Sequence, residues 1–386
     1  MKLLILGGAG AMGAHASPEL IASGRFDQIV IADVDLAKAR QLAVIWGLTP
    51  EAATALDAAD EAALRRLMAG QPAVVVNALP KAFTLNVARA AMATANLRVI
   101  DLSSLSPELR ALEAEARAAG VTYVAGCGSS SGLTNMMAKH GARQMTEIES
   151  IEISFASFRS IALSPASIHG VFWEFGPDSV RGYVAGGEYK QVELWAEAKE
   201  IEFPQPYGRL TVYAVPHSEP RTLSRNLGAR RVIVRGTFTP KVMRLMRTLV
   251  EYGFFAPGPV TINSTDLARR ELIWQYLAQV PEANQEPVWG YALHVEVTGL
   301  VSGQRLRRTL WTTHPSSEQP GWSGSDAWAK CVALPLVAGS LLLAEGNYTG
   351  TGIDAPEAFL PAMPFLTELE TRGLRVHEEI EELGER

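Results

Sequence analysis

The sequence predicts an α/β protein: a Rossmann-type parallel-sheet domain, then an α+β domain with a largely antiparallel sheet. Three observations support this prediction. A glycine-rich turn separates an apolar strand from a helix within the first 23 residues. Strand and helix patterns alternate up to about residue 130, which is typical of a parallel sheet covered on both faces. Beyond residue 147, apolar and polar residues alternate with period two, as in antiparallel strands.

The length of the chain, 386 residues, predicts more than one domain. We expect a dinucleotide-binding Rossmann domain over residues 1–132 and a substrate-binding domain over residues 133–320. A C-terminal helical segment, residues 321–386, is expected to pack back on the Rossmann domain. No strand is expected after about residue 320.

Composition argues against several classes of partner. The formal net charge is −6 and there is no basic cluster, so we expect no nucleic-acid partner. The two cysteines are too few for a disulfide framework and fit a reducing cytoplasm. The longest later apolar run, residues 332–344, contains Pro335 and Gly339 and is expected to be too short to span a bilayer. We therefore expect a cytoplasmic protein without a membrane partner.

The N-terminal glycine-rich turn has the spacing of a dinucleotide-binding loop. Its glycines at positions 8, 10 and 13 form GxGxxG between an apolar run and a helix-like stretch. The first glycine permits the tight bend, the second lets the backbone approach a pyrophosphate, and the third lets helix and strand pack closely. The helix N-terminus favours an anion. The expected cofactor contacts here are Gly8, Ala9, Gly10, Ala11, Met12 and Gly13.

An acidic residue stands where such a site binds the adenosine ribose. Asp33 ends the second apolar run, twenty residues after Gly13. Val34 follows it, in place of the Arg or Ser often used to hold a 2′-phosphate, so NAD is favoured. Lys38 and Arg40 lie nearby and keep NADP possible.

Further cofactor contacts are expected at the ends of later strands, because ligands of open parallel sheets lie beyond their carboxyl ends. The buried run at residues 74–77 leads into Ala-Leu-Pro, and the run at residues 98–102 leads into a serine. The candidates are Asn77, Ala78, Leu79, Pro80 and Ser103. For each of these side chains, a plain strand-end turn is the alternative.

A second glycine-rich loop, residues 126–132, follows another strand and precedes a helix. We expect Ser130 and Ser131 to lie near the nicotinamide or a substrate carboxylate; alternatively, one serine caps the helix. Asn135, on the loop side of that helix, is a candidate to bind substrate. Lys139 lies one turn further on the same face and is a candidate catalytic residue.

The second domain supplies the candidates for substrate recognition and proton transfer. A substrate carboxylate is best bound by a bidentate arginine, and Arg159, Arg221 and Arg225 are available. His217 and Glu219 lie with Arg221 in the polar cluster HSEPRT and are candidate catalytic residues that handle one proton. A solvated turn is the alternative interpretation of this cluster.

The stretch IHGVFWE adds two candidates in apolar surroundings. His169 is a candidate catalytic residue and Glu174 a candidate substrate-binding residue; a structural, hydrogen-bonded histidine is the alternative. The seven histidines show no HxxxH or HxH spacing and the cysteines are not paired at ligand spacing, so no metal is expected.

Four stretches resemble the saccharopine dehydrogenase-like family, which includes lysine 6-dehydrogenases and carboxynorspermidine dehydrogenases. They are GGAGAMG with Asp33, residues 74–80 (VVVNALP), residues 126–135 (GCGSSSGLTN), and APE through RGL at residues 355–374. One departure is that Ser131 stands where the family usually has proline. The resemblance implies a Rossmann domain interrupted by a substrate domain, with the C-terminal helix returning to the first domain. It implies NAD or NADP as cofactor and a homodimer built largely by the substrate domains.

The leading functional hypothesis is an NAD(P)-dependent oxidoreductase acting at a C–N bond of an amino acid or polyamine-like substrate, by amine oxidation or imine reduction. A second hypothesis keeps the cofactor but reduces a C=C or C=O bond. A third is an NAD-binding sensor or scaffold without turnover. The large second domain, which mixes aromatic and polar residues, argues against the third.

Overall fold

The computed structural model describes residues 1–162, 165–317 and 319–384. Over these ranges the strands, in chain order, are β1 (Lys2–Leu6), β2 (Gln28–Asp33), β3 (Ala53–Ala55), β4 (Val74–Asn77), β5 (Arg98–Asp101), β6 (Thr122–Ala125), β7 (Glu147–Phe158), β8 (Arg181–Ala185), β9 (Glu188–Val192), β10 (Lys199–Phe203), β11 (Gly208–Ala214), β12 (Arg231–Phe238), β13 (Pro259–Ile262), β14 (Thr265–Ala268), β15 (Gly290–Val301), β16 (Gln304–Pro315), β17 (Gly352–Asp354) and β18 (His377–Glu382).

The α-helices of the same ranges are α1 (Gly13–Ala22), α2 (Leu36–Ile45), α3 (Glu61–Met68), α4 (Thr84–Thr94), α5 (Pro107–Arg110), α6 (Glu113–Ala118), α7 (Leu133–Gly141), α8 (Pro165–Phe175), α9 (Glu219–Leu227), α10 (Pro240–Glu251), α11 (Arg269–Gln279), α12 (Asp326–Glu345), α13 (Pro356–Phe359) and α14 (Ala362–Glu370). Strand and helix alternate through β6, and longer strands dominate from β7 onward.

The first sheet is parallel throughout. In the described part of the chain its strand order is β17-β6-β5-β4-β1-β2-β3. Its central strands are continuous apolar runs because helices cover both faces of such a sheet. The predicted Rossmann-type domain is confirmed, and the carboxyl ends of β1, β4, β5 and β6 meet at one edge.

The second sheet is mixed but largely antiparallel, as predicted. Its described strands follow the order β10-β11-β12-β7-β15-β16-β18, and β8 pairs with both β12 and β9. The pair β7–β12 is parallel, whereas the other pairings are antiparallel. Alternate residues of β7 (Ile151, Ile153 and Phe155) join the core, which explains the period-two pattern.

The two sheets share one apolar core. A single cluster of buried residues includes Leu3 and Val124 of the first sheet, Leu133 of α7, Leu336 of α12 and Val295 of the second sheet. Helix α12 packs against α1, β4 and β5 as well as β15 and β16. The predicted return of the C-terminal helix to the Rossmann domain is therefore confirmed.

The expectation that strands end near residue 320 is wrong. Strand β17 extends the first sheet beside β6, and β18 pairs with β16 of the second sheet. Two glutamates of the acidic strand β18 pair with arginines: Glu381 with Arg307 at 3.3 Å, and Glu378 with Arg143 at 2.6 Å. The segment 321–386 is therefore only partly helical, and the proposed domain boundaries at 132 and 320 stay a prediction.

Pro335 and Gly339, which divide the apolar run at residues 332–344, both lie inside the 20-residue helix α12. Among the described residues this helix is long and apolar enough to cross a membrane, but 78% of its most apolar window is buried in the protein. A Cβ at Gly339 would overlap Ile100 Cδ1 of β5. The glycine therefore permits the close approach of helix to sheet.

Candidate active site

The first glycine-rich turn joins β1 to α1 at the carboxyl edge of the parallel sheet. Gly7 has a φ of +73°, so Gly7, and not Gly8 as predicted, makes the tight bend. A Cβ at Gly8 would lie 2.8 Å from Ile31 Cγ2, and one at Gly13 would overlap the carbonyl oxygen of Gly7. Packing of the turn against α1 and β2 therefore requires both glycines.

Gly10 is the glycine of this turn that packing leaves most open. In the described structure a Cβ there would meet the Gly7 carbonyl oxygen at 3.1 Å and no other atom within 4 Å. Ala11 is exposed and Met12 is half-buried beside it, at the N-terminus of α1. A pyrophosphate fits this cradle, because the backbone is accessible and the helix end favours an anion.

Asp33 lies against the same turn. One carboxylate oxygen accepts a hydrogen bond from the Ala9 backbone N–H at 2.9 Å, and the other from the Asp35 N–H at 3.1 Å. The side chain is therefore oriented beside the glycine turn, where each oxygen retains a lone pair for a ribose hydroxyl. Val34, next to it, is 79% exposed.

The later strand ends present backbone rather than side chains. Asn77 is fully buried; it donates to Asp101 Oδ2 at 2.8 Å and accepts from the Leu79 N–H at 3.2 Å. The Ser103 N–H donates to Asp101 Oδ1 at 2.6 Å. Ala78 and Leu79 are half-buried and Pro80 is exposed. Through these hydrogen bonds Asp101 holds the carboxyl ends of β4 and β5 together. Burial raises the pKa of its carboxyl group.

A cavity of about 150 Å³ opens beside the second glycine-rich loop, which follows β6 at the same edge. It brings together four residues predicted from the sequence: Ser130, Ser131, Arg159 and Glu174. The remaining lining residues are Leu102, Ser104, Gly128, Ser129, Ser157, Phe238, Tyr291, Trp328 and Val332. Ser131 Oγ lies 3.0 Å from Ser104 Oγ, and the N-cap of α7 is Gly132 rather than a serine.

Arg159 places a buried cation in this cavity. It is 5% exposed, and its guanidinium carbon lies 5.1 Å from the ring centre of Phe238 and 4.9 Å from that of Trp328. Burial lowers the pKa of Arg159, and the charge of Glu174 opposes that shift. The cavity therefore has a positive and a negative group on its wall.

Ser130 connects the cavity to a buried ion pair. Its Oγ donates to Glu219 Oε1 at 2.9 Å and lies 3.3 Å from His217 Nδ1. His217 Nδ1 is itself 3.3 Å from Glu219 Oε1. Helix α9 begins at Glu219, so the turn before it brings His217 and Glu219 to the second glycine-rich loop.

His217 is an imidazolium at neutral pH. Burial alone would lower its pKa, but the charge of Glu219 and hydrogen bonds to Glu174 and Glu219 raise it to about 10. Its ring stacks between those of Phe155 and Trp173, with distances of 5.4 Å and 6.1 Å between ring centres. Aromatic faces stabilise a cation. The histidine can therefore donate a proton but is not a free base.

Two family models match successive parts of the chain. The model of the saccharopine dehydrogenase NADP binding domain matches residues 3–124, and that of the saccharopine dehydrogenase C-terminal domain matches residues 128–374. The chain belongs to the saccharopine dehydrogenase family. The predicted resemblance is confirmed, and with it an oxidoreductase that binds NAD(P).

Curated relatives of this saccharopine dehydrogenase family member are distant. A carboxyaminopropylagmatine dehydrogenase from Synechocystis sp. is 22% identical over 398 residues, covering 98% of each chain. A carboxynorspermidine synthase from Vibrio alginolyticus is 22% identical over 272 residues, 67% of this chain and 63% of that enzyme, so the match spans less than two thirds of the synthase.

The fold is shared with a solved structure over nearly the whole chain. Apo saccharopine dehydrogenase (L-Glu forming) from Saccharomyces cerevisiae has a TM-score of 0.71 and 21% identity, and the match covers 98% of this chain and 99% of that one. The likeness extends over both sheets and the C-terminal segment.

Two of the predicted site residues of this family member lie behind the loop instead of in the cavity. Asn135 is fully buried, and its Oδ1 accepts from the Gly132 N–H at 2.9 Å. Lys139 Nζ donates to the carbonyl oxygens of Glu357 and Leu360, both at 2.8 Å. The prediction of a catalytic Lys139 is not supported, because its ammonium group anchors α7 to the C-terminal segment.

Two further candidates lie outside the cavity lining. His169 is exposed on α8, with its ring 4.8 Å from that of Trp274. Arg221 is exposed on α9, and its guanidinium carbon lies 3.4 Å from the ring centre of Tyr189. The structure does not bring either residue to Arg159 and Glu174.

The aromatic residues of the cavity were not predicted from the sequence. Phe238, Tyr291 and Trp328 come from β12, β15 and α12, and no local motif marks them. Within the described ranges, no group of three or more His, Cys, Asp or Glu side chains is arranged to hold a metal ion.

Proposed function

We propose that the protein transfers a hydride at a C–N bond of an amino-acid or polyamine-like substrate that carries a carboxylate. The observation that carries this proposal is the convergence of Arg159, Glu174 and Ser130 on one cavity at the carboxyl edge of the dinucleotide-binding sheet. The Gly7–Gly13 turn and Asp33 would hold NAD(P), which supplies or accepts the hydride when bound.

Arg159 and Glu174 suit the two charges of an amino-acid-like group. A guanidinium binds a carboxylate in bidentate fashion, and a carboxylate accepts from an ammonium group. At about 150 Å³, the cavity is smaller than the roughly 300–1,000 Å³ of sites for drug-sized ligands. We therefore expect it to hold the reacting, carboxylate-bearing end of the substrate.

The proton required by the substrate nitrogen would come from His217. In the reductive direction the imine carbon accepts a hydride, the C=N π pair moves to nitrogen, and nitrogen takes a proton. Ser130 Oγ contacts both His217 and Glu219 and lines the cavity, so its hydroxyl can relay the proton. Amine oxidation is the same sequence reversed, and it requires the neutral form of His217 to take up the proton.

The names of two relatives agree with this arrangement. Carboxynorspermidine and carboxyaminopropylagmatine each denote a polyamine-like skeleton that bears a carboxylate. We infer a related reaction here, the reductive condensation of an amine with a carbonyl compound or its reverse. Reduction of C=C or C=O bonds is not favoured, because neither needs a carboxylate partner for an amine.

We propose NAD as the preferred cofactor, although the matched family model is that of an NADP binding domain. Asp33 presents acceptor oxygens that suit ribose hydroxyls and would repel a 2′-phosphate. Val34, which is 79% exposed beside it, offers no cationic partner.

A paired-substrate screen tests both parts of the proposal. Amines would be combined with 2-oxo acids and amino-acid semialdehydes, and oxidation of NADH or NADPH followed. We expect turnover that requires both an amine and a carbonyl compound, with a higher kcat/KM for NADH. Oxidation with the carbonyl compound alone would contradict C–N chemistry, and a higher kcat/KM for NADPH would contradict the role given to Asp33.

A test variant and a matched control variant accompany the screen. Arg159→Met should lower kcat/KM about 30-fold or more, because removing one partner of a buried charge contact costs about 2–5 kcal/mol. Arg209→Met alters an exposed ion pair with Glu202 and should keep the wild-type value.

We also propose that the protein is a homodimer in the cytoplasm. The family resemblance supports the dimer, and light scattering of the purified protein tests it. Cys127 and Cys331 are both buried, reduced thiols, which fits a reducing compartment. Cell fractionation tests the location.

A further inference from the structure

Glu357 lies buried where three segments meet behind the second glycine-rich loop. It is 2% exposed, on α13, between α7 and α9. Its Oε2 accepts from Asn135 Nδ2 at 2.9 Å, and its Oε1 accepts from Asn226 Nδ2 at 3.0 Å. The carboxylate is therefore clamped by one amide from α7 and one from α9.

The amide of Asn135 carries this contact to the loop. Its Oδ1 accepts from the Gly132 N–H at 2.9 Å, while its Nδ2 lies 3.4 Å from Thr222 Oγ1 of α9. Gly132 ends the loop that carries Ser130, and α9 begins at Glu219. The loop and α9 thus meet twice, at the Ser130–Glu219 hydrogen bond and at Glu357.

We propose that Glu357 is a positioning residue: it fixes the second glycine-rich loop relative to α9 and thereby sets the geometry of Ser130, Glu219 and His217. This inference rests on the proposed function, since the residues that Glu357 positions are those of the proposed active site. Glu357 does not line the cavity and touches none of the reacting atoms.

The charged side chains nearest Glu357 make their hydrogen bonds and ion pairs with groups other than its carboxylate. Lys139 donates to backbone carbonyl oxygens, and Arg225 pairs with Asp354 at 2.6 Å, as does Arg110 at 3.4 Å. The polar contacts of the Glu357 carboxylate in the described structure are thus mainly with neutral groups: the amides of Asn135 and Asn226, the hydroxyl of Thr222 and its own backbone N–H. Loss of either amide contact leaves a buried polar group unsatisfied.

An exchange of groups tests the proposal directly. Glu357→Gln points an amide at the Asn135 amide, and Asn135→Asp points a carboxylate at Glu357. In the double variant the new amide at position 357 can donate to the new carboxylate at position 135. That carboxylate still accepts from the Gly132 N–H, while Asn226 still donates to position 357. Each single variant therefore breaks the contact, and the double variant restores it with the polarity reversed.

We expect each single variant to lower kcat by about tenfold, within the range for an unsatisfied buried group, with little change in KM for NADH. The double variant should recover kcat to within a few-fold of wild type. Glu370→Gln, which alters an exposed ion pair with Arg375, is the matched control and should keep wild-type kcat. Failure of the double variant to recover kcat would overturn the proposal.

Hydrogen–deuterium exchange provides a readout that does not depend on turnover. Amides of residues 132–136 and 219–226 should lose protection in each single variant and regain it in the double variant, while residues 7–13 stay unchanged. Unaltered exchange at residues 132–136 in Glu357→Gln would overturn the proposal. Absence of turnover by the wild type would instead count against the proposed function, and the exchange pattern would still be measurable.

Discussion

At the scale of single residues, His217 is the most unusual group of the site. It is buried between Phe155 and Trp173, with the carboxylate of Glu219 beside its Nδ1. An isolated buried imidazole would be neutral, but here the neighbouring carboxylates outweigh burial and raise its pKa to about 10. The charge of the histidine is therefore coupled to folding.

The sign of the pH dependence follows from that pKa. A group whose pKa is raised from 6.5 to about 10 on folding contributes full stability below pH 6.5 and loses it as pH rises through 10. Removing one partner of a buried pair costs about 3–5 kcal/mol. We therefore expect the Tm difference between wild type and His217→Gln to be largest near pH 6 and to shrink toward pH 10.

Differential scanning fluorimetry across this range measures the effect. His377→Gln is the matched control, because His377 is exposed and stacks on Trp311 at 5.5 Å. Its Tm difference from wild type should stay small and constant. A His217→Gln difference that is constant or grows with pH would show that the imidazole is not held as a cation.

At the scale of elements, α12 holds the two sheets together and bounds the active site. Trp328 and Val332 line the cavity, and the Cys331 carbonyl accepts from Ser129 Oγ at 2.6 Å. Gly339, further along the helix, lies against Ile100 of β5, with Cys127 Sγ 3.1 Å from the position of a Cβ. The helix can approach the sheet this closely because position 339 has no side chain.

Gly339→Val should therefore lower stability. A valine would overpack the helix–sheet contact at a cost of about 1–3 kcal/mol, which lowers the Tm measured without ligands. Ala62→Val, at an exposed position of α3, introduces the same side chain and should cost only a few tenths of a kcal/mol. Equal Tm values for the two variants would contradict the close packing of α12 on β5.

At the scale of the whole molecule, the cofactor-binding residues at the carboxyl edge of the parallel sheet could be predicted from the sequence. The substrate cavity could be predicted only in part. The glycine turn, Asp33 and the strand ends are local patterns, so their order along the chain reveals their place at one sheet edge. Arg159 and Glu174 were candidates by residue type alone. Their meeting with Phe238, Tyr291 and Trp328 depends on contacts between segments far apart in sequence.

The differences between the expectations and the structure have the same physical origin. Lys139 shares a helical face with Asn135, but the partner of that face is the C-terminal segment, which no local pattern places there. Strand β18 forms from an acidic stretch because it pairs with β16, whose Arg307 lies 3.3 Å from Glu381. Long-range partners, rather than local propensity, decide these positions.

The central claim is that the hydride goes to the carbon bonded to nitrogen. The most direct test is turnover of an amine and a carbonyl compound with NADH deuterated at C4, followed by mass spectrometry of the product. We predict a secondary or primary amine with one deuterium on the carbon attached to nitrogen. Deuterium on a carbinol carbon, or on a carbon of a reduced C=C bond, would contradict the account.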